Sequence, residues 1–440
     1  MKNYYDMLSA MAERHPDKIC LTVDSSRWTY KELQAACDRL AEKLPEVSSG
    51  SLLVLADTFA AQLTAFIALQ KKGIIPILLH HGMKEEEISS IIRENHLQGI
   101  IRLKDDMLSF TPSGEAVCPH NEPDILGVLS SGSTGTPKVM YRTFDSWAGY
   151  FPKQNPIFGV SGDSRMFLHG SLSFTGNMNS LLSVLFEGGT VITSEHFRCR
   201  HWAKLMQEEH ADILYLVPSK LHLLTESVKE TLPEVRHIFT GSQLLSAQNI
   251  RDLKALCPNA ELILYYGASE LNYITYAVCD NPDRDPRNLG KPFPGIKITV
   301  SDGLVYVDTK YHVSGIEIPF SVKDTGSLNE KGELIFEGRR DAWINKGGVK
   351  ISTQRIENLL RTIEGVAACA VLPYEDEVRG MDAAAFIVAE KNASESVIRT
   401  EVKRILKPVE VPGRLCFVAE IPLNDRGKVD KKSLFASKPL

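Results

Sequence analysis

An alternation of short apolar runs and amphipathic helices, repeated through residue 270, leaves few folds open to this chain. SLLVLA (51–56), TFAAQLTAFIALQKK (58–72) and GIIPILL (73–79) read as buried strand, helix and buried strand. That is a βαβ unit, which requires a parallel sheet with right-handed crossovers. The pattern returns in EEEISSIIREN with GIIRL, HWAKLMQEEHA with DILYLV, and AQNIRDLKALC with AELILYYG. Ahead of these, Thr29 and Glu32 form a capping box that opens a helix carrying Leu33, Cys37, Leu40 and Leu44 on one stripe, stopped by Pro45. Layered α/β architecture is the expectation for this part of the chain.

After about residue 285 the texture changes. Gly and Pro cluster in NLGKPFPGIKI, and GLVYVD and GELIFEG alternate in the manner of antiparallel strands with one face exposed. From about 341 a helix (TQRIENLLRTI), two strands (AACAVLP, AAAFIVAE) and a helix (SVIRTEVKRILK) predict a small α+β unit. The expected organisation is therefore a large multi-sheet layered α/β N-terminal domain over 1–340 and a small α+β C-terminal domain over 341–440, joined by a hinge. The last hundred residues carry 16 basic against 14 acidic side chains, and the preceding 340 carry 34 against 41. A mildly basic small domain suits an anionic ligand as well as it suits ordinary compositional scatter.

Composition narrows the function classes. With 50 Lys+Arg against 55 Asp+Glu and a net charge of −5, the chain lacks the basic excess of a nucleic-acid reader. No apolar run approaches the length of a membrane span. The start, MKNYYDMLSAMAERHPDK, places acidic and polar residues where a secretory leader needs an apolar core. The eight cysteines are scattered without a CxxC pair, which predicts reduced thiols and a cytoplasmic location. His80, His81 and His120 lack partners at metal-ligand spacing, and no G-x-S-x-G elbow marks a hydrolase.

The strongest chemical signal is LSSGSTGTPK, from Leu129 to Lys138. Gly132 and Gly135 free the backbone to present N–H groups, while Ser130, Ser131, Ser133, Thr134 and Thr136 add hydroxyls and Lys138 a positive charge. Such a loop can wrap polyphosphate oxygens. Its spacing is not that of a Walker A loop.

The loop resembles the phosphate-binding signature of the adenylate-forming superfamily: acyl-CoA synthetases, adenylation domains of peptide synthetases and luciferase-like enzymes. Further motifs follow in the family order. Tyr265-Tyr266-Gly267-Ala268-Ser269-Glu270 resembles Tyr-Gly-x-Thr-Glu, with Ser269 in place of Thr. Asp324-Thr325-Gly326 lies where the family has its ribose-binding Asp, and Gly338-Arg339-Arg340-Asp341 resembles the Gly-Arg-x-Asp hinge. Ile344 to Ile351 is similar to the loop that follows in acyl- and aryl-CoA ligases, and Pro422 to Lys428 to the Pro-x-x-x-x-Gly-Lys near the C-terminus. Val139 and Phe144 depart from the usual Gly and His beside the phosphate loop.

This resemblance implies an enzyme that activates a carboxylic acid with ATP and Mg²⁺ and passes the acyl group to CoA, or to the phosphopantetheine of an acyl carrier protein. A non-catalytic nucleotide-binding relative is the remaining alternative. It implies that Ser131, Gly132, Ser133, Thr134, Gly135 and Thr136 cradle phosphates, with Lys138, Glu270 and Lys428 catalytic and Glu270 also a Mg²⁺ ligand. Gly241, Ser242 and Gln243 would lie against adenine opposite Tyr266, beside Gly267 and Ser269. Asp324 and Arg339 would hold the ribose or phosphates; without the family, both read as ordinary surface charges. Asp341 would be the hinge, and Gly347 and Gly348 would make room for the pantetheine thiol. The acid would meet Gly170 to Asn177, including Phe174, Thr175, Gly176 and Asn177. Amino-acid-activating relatives carry Asp where this chain has Thr175, and a neutral Thr cannot offset a buried ammonium. A fatty or aryl acid is expected instead. Asn177, Asn272 and Tyr273 fit either contacts to a hydroxylated ring or polar groups at the rim of the core.

Overall fold

The computed structural model describes the chain except residues 48–49, 106, 115–122, 131–136, 340–342, 347–348, 377–379, 424–428 and 438–440. Two large sheets, a smaller antiparallel sheet and a separate C-terminal sheet account for its strands. The expected strands Ser51–Ala56 and Ile75–Leu78 pair in parallel, with Leu52 opposite Pro76, across the intervening helix Phe59–Lys71. That helix is apolar on nearly every side because it is buried on nearly every side. Thr29 and Glu32 form both hydrogen bonds of the capping box on the helix Tyr30–Lys43.

The recurring strand–helix pattern divides between two sheets. Ser51–Ala56, Ile75–Leu78 and Gly99–Lys104 belong to a six-stranded sheet closed by the antiparallel pair Asp124–Leu129 and Val139–Thr143. Glu261–Ala268, His237–Thr240, Ile213–Tyr215, Arg165–Leu168 and Thr190–Thr193 run in parallel as consecutive neighbours in a nine-stranded sheet. Its next strand is Ile19–Val23, from the far N-terminus, which no local pattern predicts. One continuous core joins both sheets.

Residues 297–339 form the expected antiparallel sheet, in which Asp324 of the strand Asp324–Leu328 pairs directly with Arg339 of Leu334–Arg339. The C-terminal unit has its own core, with Ile356 and Leu360 of the helix Thr353–Leu360 and Ile398 and Val402 of Glu395–Ile405 packed on Ile387. No helix among the described residues is long and apolar enough to cross a membrane. All seven cysteines among the described residues are free.

Candidate active site

In the parallel part of the nine-stranded sheet the strands end together on one edge, and the chain leaves that edge at His169, Leu216, Gly241 and Ser269. A crevice outside the carboxyl ends of parallel strands is where ligands bind in open α/β sheets. Most of the described candidate residues lie along it.

Glu270 sits in the turn between Glu261–Ala268 and its antiparallel partner Asn272–Val278. Its backbone carbonyl accepts from the Val313 N–H at 2.9 Å. The preceding carbonyl, that of Ser269, accepts from Arg142 at 2.7 Å. Arg142 is 2% exposed and reaches two more carbonyls, Ser146 at 3.3 Å and Tyr311 at 3.4 Å, with its guanidinium over the Trp147 ring. Burial pulls its pKa down to about 10, which the Glu270 charge partly opposes. Sequence motifs did not single out Arg142; a lone Arg in an alternating strand carries no local signal. The Ser269 hydroxyl lies 3.3 Å from that of Thr175, the first residue of the helix Thr175–Glu187, so the candidate acid loop and the Glu270 turn meet at these two hydroxyls.

Tyr266 donates its hydroxyl to the carboxylate of Asp324, and Arg339 approaches the other oxygen at 3.2 Å. Asp324 is 2% exposed, which corrects its reading as a surface charge; Arg339, by contrast, is exposed. Burial raises the Asp324 pKa, and Arg339 and Tyr266 oppose that rise. Burial also holds the Tyr266 phenol well above its ordinary range. Tyr266, Asp324 and Arg339 thus form one polar cluster beside the exposed Gly267.

Gly241 follows His237–Thr240, and a Cβ there would lie 2.4 Å from the Tyr265 ring. Glycine is what allows the two strand ends to pack. The exposed Ser242 then turns the chain with a φ of 72°, followed by Gln243.

The phosphate-loop residues Ser131 to Thr136 lie outside the described residues, as do Asp341, Gly347, Gly348 and Lys428. The base of the phosphate loop is described. Ser130 N–H donates to the Lys138 carbonyl at 2.8 Å, and the Lys138 N–H donates to the Ser130 hydroxyl at 2.9 Å. Asn95, which ends the helix Glu85–Glu94, braces this base: it accepts from the Val139 N–H at 2.8 Å and donates to the Pro137 carbonyl at 3.1 Å. Lys138 itself is exposed.

The acid loop is braced by Gln62, whose carbonyl oxygen accepts from the Ser171 hydroxyl at 3.0 Å and the Leu172 N–H at 2.9 Å. The Phe174 ring packs 5.7 Å from that of His80. Gly176 presses on the interior: a Cβ there would lie 2.1 Å from the Tyr215 hydroxyl and 3.2 Å from that of Tyr265. Tyr215 and Tyr265 share a hydrogen bond of 3.0 Å within a buried group that includes Phe239 and Tyr273. Asn272 accepts from Asn179 at 3.1 Å and Tyr273 is 4% exposed, while Asn272 Nδ2 and the Tyr273 hydroxyl are buried without a hydrogen-bond partner among the described residues.

The sequence matches the AMP-binding enzyme family over residues 8–315 and the AMP-binding enzyme C-terminal domain over residues 355–428. The uncharacterized acyl-CoA ligase YhfT of Bacillus subtilis is 26% identical, with 96% of this chain and 95% of that protein aligned. A putative long chain fatty acid-CoA ligase, VraA of Staphylococcus haemolyticus, is 24% identical over 97% of this chain and 96% of its own length. Among solved structures, ATP-bound MatB from Rhodopseudomonas palustris superposes with a TM-score of 0.83 at 20% identity, covering 99% of both chains. The o-succinylbenzoate CoA synthetase MenE from Bacillus subtilis, in complex with the acyl-adenylate intermediate OSB-AMP, gives 0.82 at 18% identity, over 99% of this chain and 98% of the other. These likenesses show the fold, and the family match covers most of the sequence: the chain belongs to the AMP-binding enzymes.

Proposed function

We propose that this chain is an acid–thiol ligase that converts a carboxylic acid and ATP to acyl-AMP and pyrophosphate, then transfers the acyl group to the thiol of CoA. The observation that carries this reading is the convergence of three groups on one sheet edge: the Tyr266–Asp324–Arg339 cluster, the Glu270 turn and the Thr175 end of the acid loop. The names of two relatives, an uncharacterized acyl-CoA ligase and a putative long chain fatty acid-CoA ligase, support the same class.

In the first half-reaction a carboxylate oxygen bonds to the α-phosphorus as the bond to the bridging oxygen breaks and pyrophosphate leaves. Both reactants are anionic, so the site must supply positive charge and fixed donors. Asp324 accepts from the ribose hydroxyls, with Arg339 beside it to meet ribose or phosphate. Gly241 to Gln243 and Tyr266 flank the base. Among the described residues no three metal-ligating side chains cluster. One carboxylate, Glu270, with the Ser269 and Thr175 hydroxyls nearby, fits Mg²⁺, which keeps waters and substrate phosphates as most of its ligands. When bound, that ion neutralises charge on the phosphates. Lys138 and Lys428 add ammonium groups, Lys428 at the attacking carboxylate.

In the second half-reaction the thiol sulfur bonds to the acyl carbon and AMP leaves. The division at 340/341 lets the small domain turn about Asp341, withdrawing Lys428 and bringing in Gly347 and Gly348. The carrier-protein phosphopantetheine is the second acceptor, favoured by relatives such as the phenyloxazoline synthase MbtB, a larger protein of which the aligned part is 42%. The test is acid-dependent pyrophosphate release from ATP·Mg²⁺ over fatty, aryl and dicarboxylic acids, with and without CoA. Sustained turnover only with CoA is expected; a burst that CoA does not relieve points to a carrier protein, and acid-independent release overturns the reading.

A further inference from the structure

Gln62 is a polar side chain in a place built for apolar ones. It stands in the first turn of the helix Phe59–Lys71, which is buried on nearly every side, and is itself 2% exposed. A buried amide lowers stability unless its donors and its acceptor find partners. The Gln62 carbonyl oxygen accepts from the Ser171 hydroxyl at 3.0 Å and from the Leu172 N–H at 2.9 Å. Its amide nitrogen faces His81 Nε2 at 3.2 Å and, at a longer 3.5 Å, the Ala56 carbonyl. These partners use the full capacity of the amide and fix it in one orientation.

The partners come from different parts of the fold. Ala56 ends the strand Ser51–Ala56, and His81 lies just past the parallel neighbour Ile75–Leu78, both in the six-stranded sheet. Ser171 and Leu172 follow Arg165–Leu168 of the nine-stranded sheet. Gln62 therefore joins the carboxyl ends of strands in both large sheets, the edge at which open α/β sheets hold ligands. The helix that carries it is pinned to the nine-stranded sheet as well. Its first N–H, that of Phe59, donates at 2.7 Å to Glu195, which follows Thr190–Thr193. The His80 ring adds a contact from the six-stranded sheet, 5.7 Å from that of Phe174. Both members of the pair His80-His81 thus bear on the acid loop, one through Phe174 and one through Gln62.

Within the loop, order spreads from Ser171. Its hydroxyl accepts from the Ser173 N–H at 3.1 Å, and its carbonyl accepts from Asn177 at 3.0 Å. Phe174 and Thr175 lie between this anchored end and the contact of Thr175 with Ser269. We propose that Gln62 is a positioning residue of the acid site. By fixing Ser171 and Leu172 it sets where Phe174 and Thr175 stand, and thereby the affinity for the carboxylic acid, without touching the acid itself. This rests on the acid–thiol ligase reading and names a determinant of acid binding at the same site. Asp324 and Arg339 belong to other elements, the antiparallel strands Asp324–Leu328 and Leu334–Arg339, so loss of the anchor falls on the acid and spares ATP.

The test measures pyrophosphate release in Gln62→Met, which keeps the length of the side chain and removes its polar atoms. The KM for the acid that wild type turns over best is expected to rise about 10-fold, while the KM for ATP stays within about 2-fold. Gln62→Glu keeps an acceptor oxygen for the Leu172 N–H and is expected to recover part of the acid KM. Ser171→Ala removes the hydroxyl from the loop side, in a half-buried place, and keeps the question open to measurement if Gln62→Met does not fold. It is expected to raise the acid KM alone by a few-fold. Equal rises in both KM values, or an unchanged acid KM in either folded variant, overturn the positioning role while the ligase reading stands. Silence of wild type with every acid overturns the ligase reading instead. The anchor is then read by hydrogen exchange over residues 170–177: faster exchange in Gln62→Met supports it, and equal rates overturn it.

Discussion

Arg142 holds the turn that carries Glu270: its guanidinium donates at 2.7 Å to the carbonyl of Ser269, one residue before the carboxylate. The same side chain spans to Tyr311, close to Val313, whose N–H binds the Glu270 carbonyl. Arg142→Met leaves these buried carbonyls without a donor. It is expected to cost about 2–3 kcal/mol of stability by urea unfolding and to lower kcat for adenylation more than it raises KM for the acid. An unchanged kcat in a folded variant removes Arg142 from the positioning of Glu270.

Burial raises the Asp324 pKa, and Arg339 and Tyr266 oppose that rise. Tyr266→Phe removes one of the two supports, so the Asp324 pKa climbs further. The acid limb of the pH profile of kcat/KM for ATP then moves to higher pH, because the proton must leave before the carboxylate can accept from ribose. Asp324→Asn is expected to weaken ATP about 10-fold or more and to erase the discrimination between ATP and 2′-deoxy-ATP. Retained discrimination places the ribose elsewhere.

Gly176→Ala puts a methyl group 2.1 Å from the Tyr215 hydroxyl. The overpacking is expected to cost about 1–3 kcal/mol. Adding Tyr215→Phe removes the offending oxygen and should recover most of the loss. Non-additivity of the two changes in Tm or urea midpoint is the readout, and simple additivity speaks against the contact.

Lys220 gives stability a pH signature. Burial draws its folded pKa down to about 8, against 10.5 for an ordinary lysine, with His169 neutral beside it. Between these values the unfolded chain binds more protons than the folded one, so stability rises as pH climbs from about 8 towards 10.5. Lys220→Met should lack this rise. Urea unfolding of both proteins at pH 7.5 and pH 10 checks it, and parallel curves contradict it.

The two half-reactions should separate by mutation. Lys428→Ala is expected to lose most adenylation while sparing thioester formation from supplied acyl-AMP; Gly348→Leu is expected to do the reverse. Equal losses in both half-reactions for Lys428→Ala remove its assignment to adenylation.

Local pattern carried the elements. The capping box of Thr29 and Glu32, the strand Ser51–Ala56 and the helix Ala247–Leu256 stand where side-chain periodicity puts them, because each depends on a few neighbouring residues. Their division between two sheets did not show, since Ile19–Val23 finds its partner at Thr190–Thr193, far along the chain. The motif residues Tyr266, Ser269, Glu270 and Asp324 were legible as motifs. The side chains that brace them were not: Arg142, Gln62 and Asn95 act through backbone carbonyls and N–H groups, which leave no mark in the residue types they bind. Asp324 looked like a surface charge because nothing nearby in sequence reveals that Tyr266 closes over it.

In the C-terminal unit the hairpin strands Trp343–Lys346 and Val349–Ser352 flank Gly347 and Gly348. Lys346, almost wholly buried, binds Asp382 of the next strand at 2.6 Å and the Val411 carbonyl at 2.7 Å. Breaking such a pair on one side costs several kcal/mol, so the root of the hairpin does not give way under thermal motion. In the proposed second half-reaction the hairpin therefore reaches the acyl-adenylate only as the proposed small domain over 341–440 moves as one body. The rate of that half-reaction should respond to solvent viscosity, through the drag on that body, in a way that the chemistry of adenylation does not.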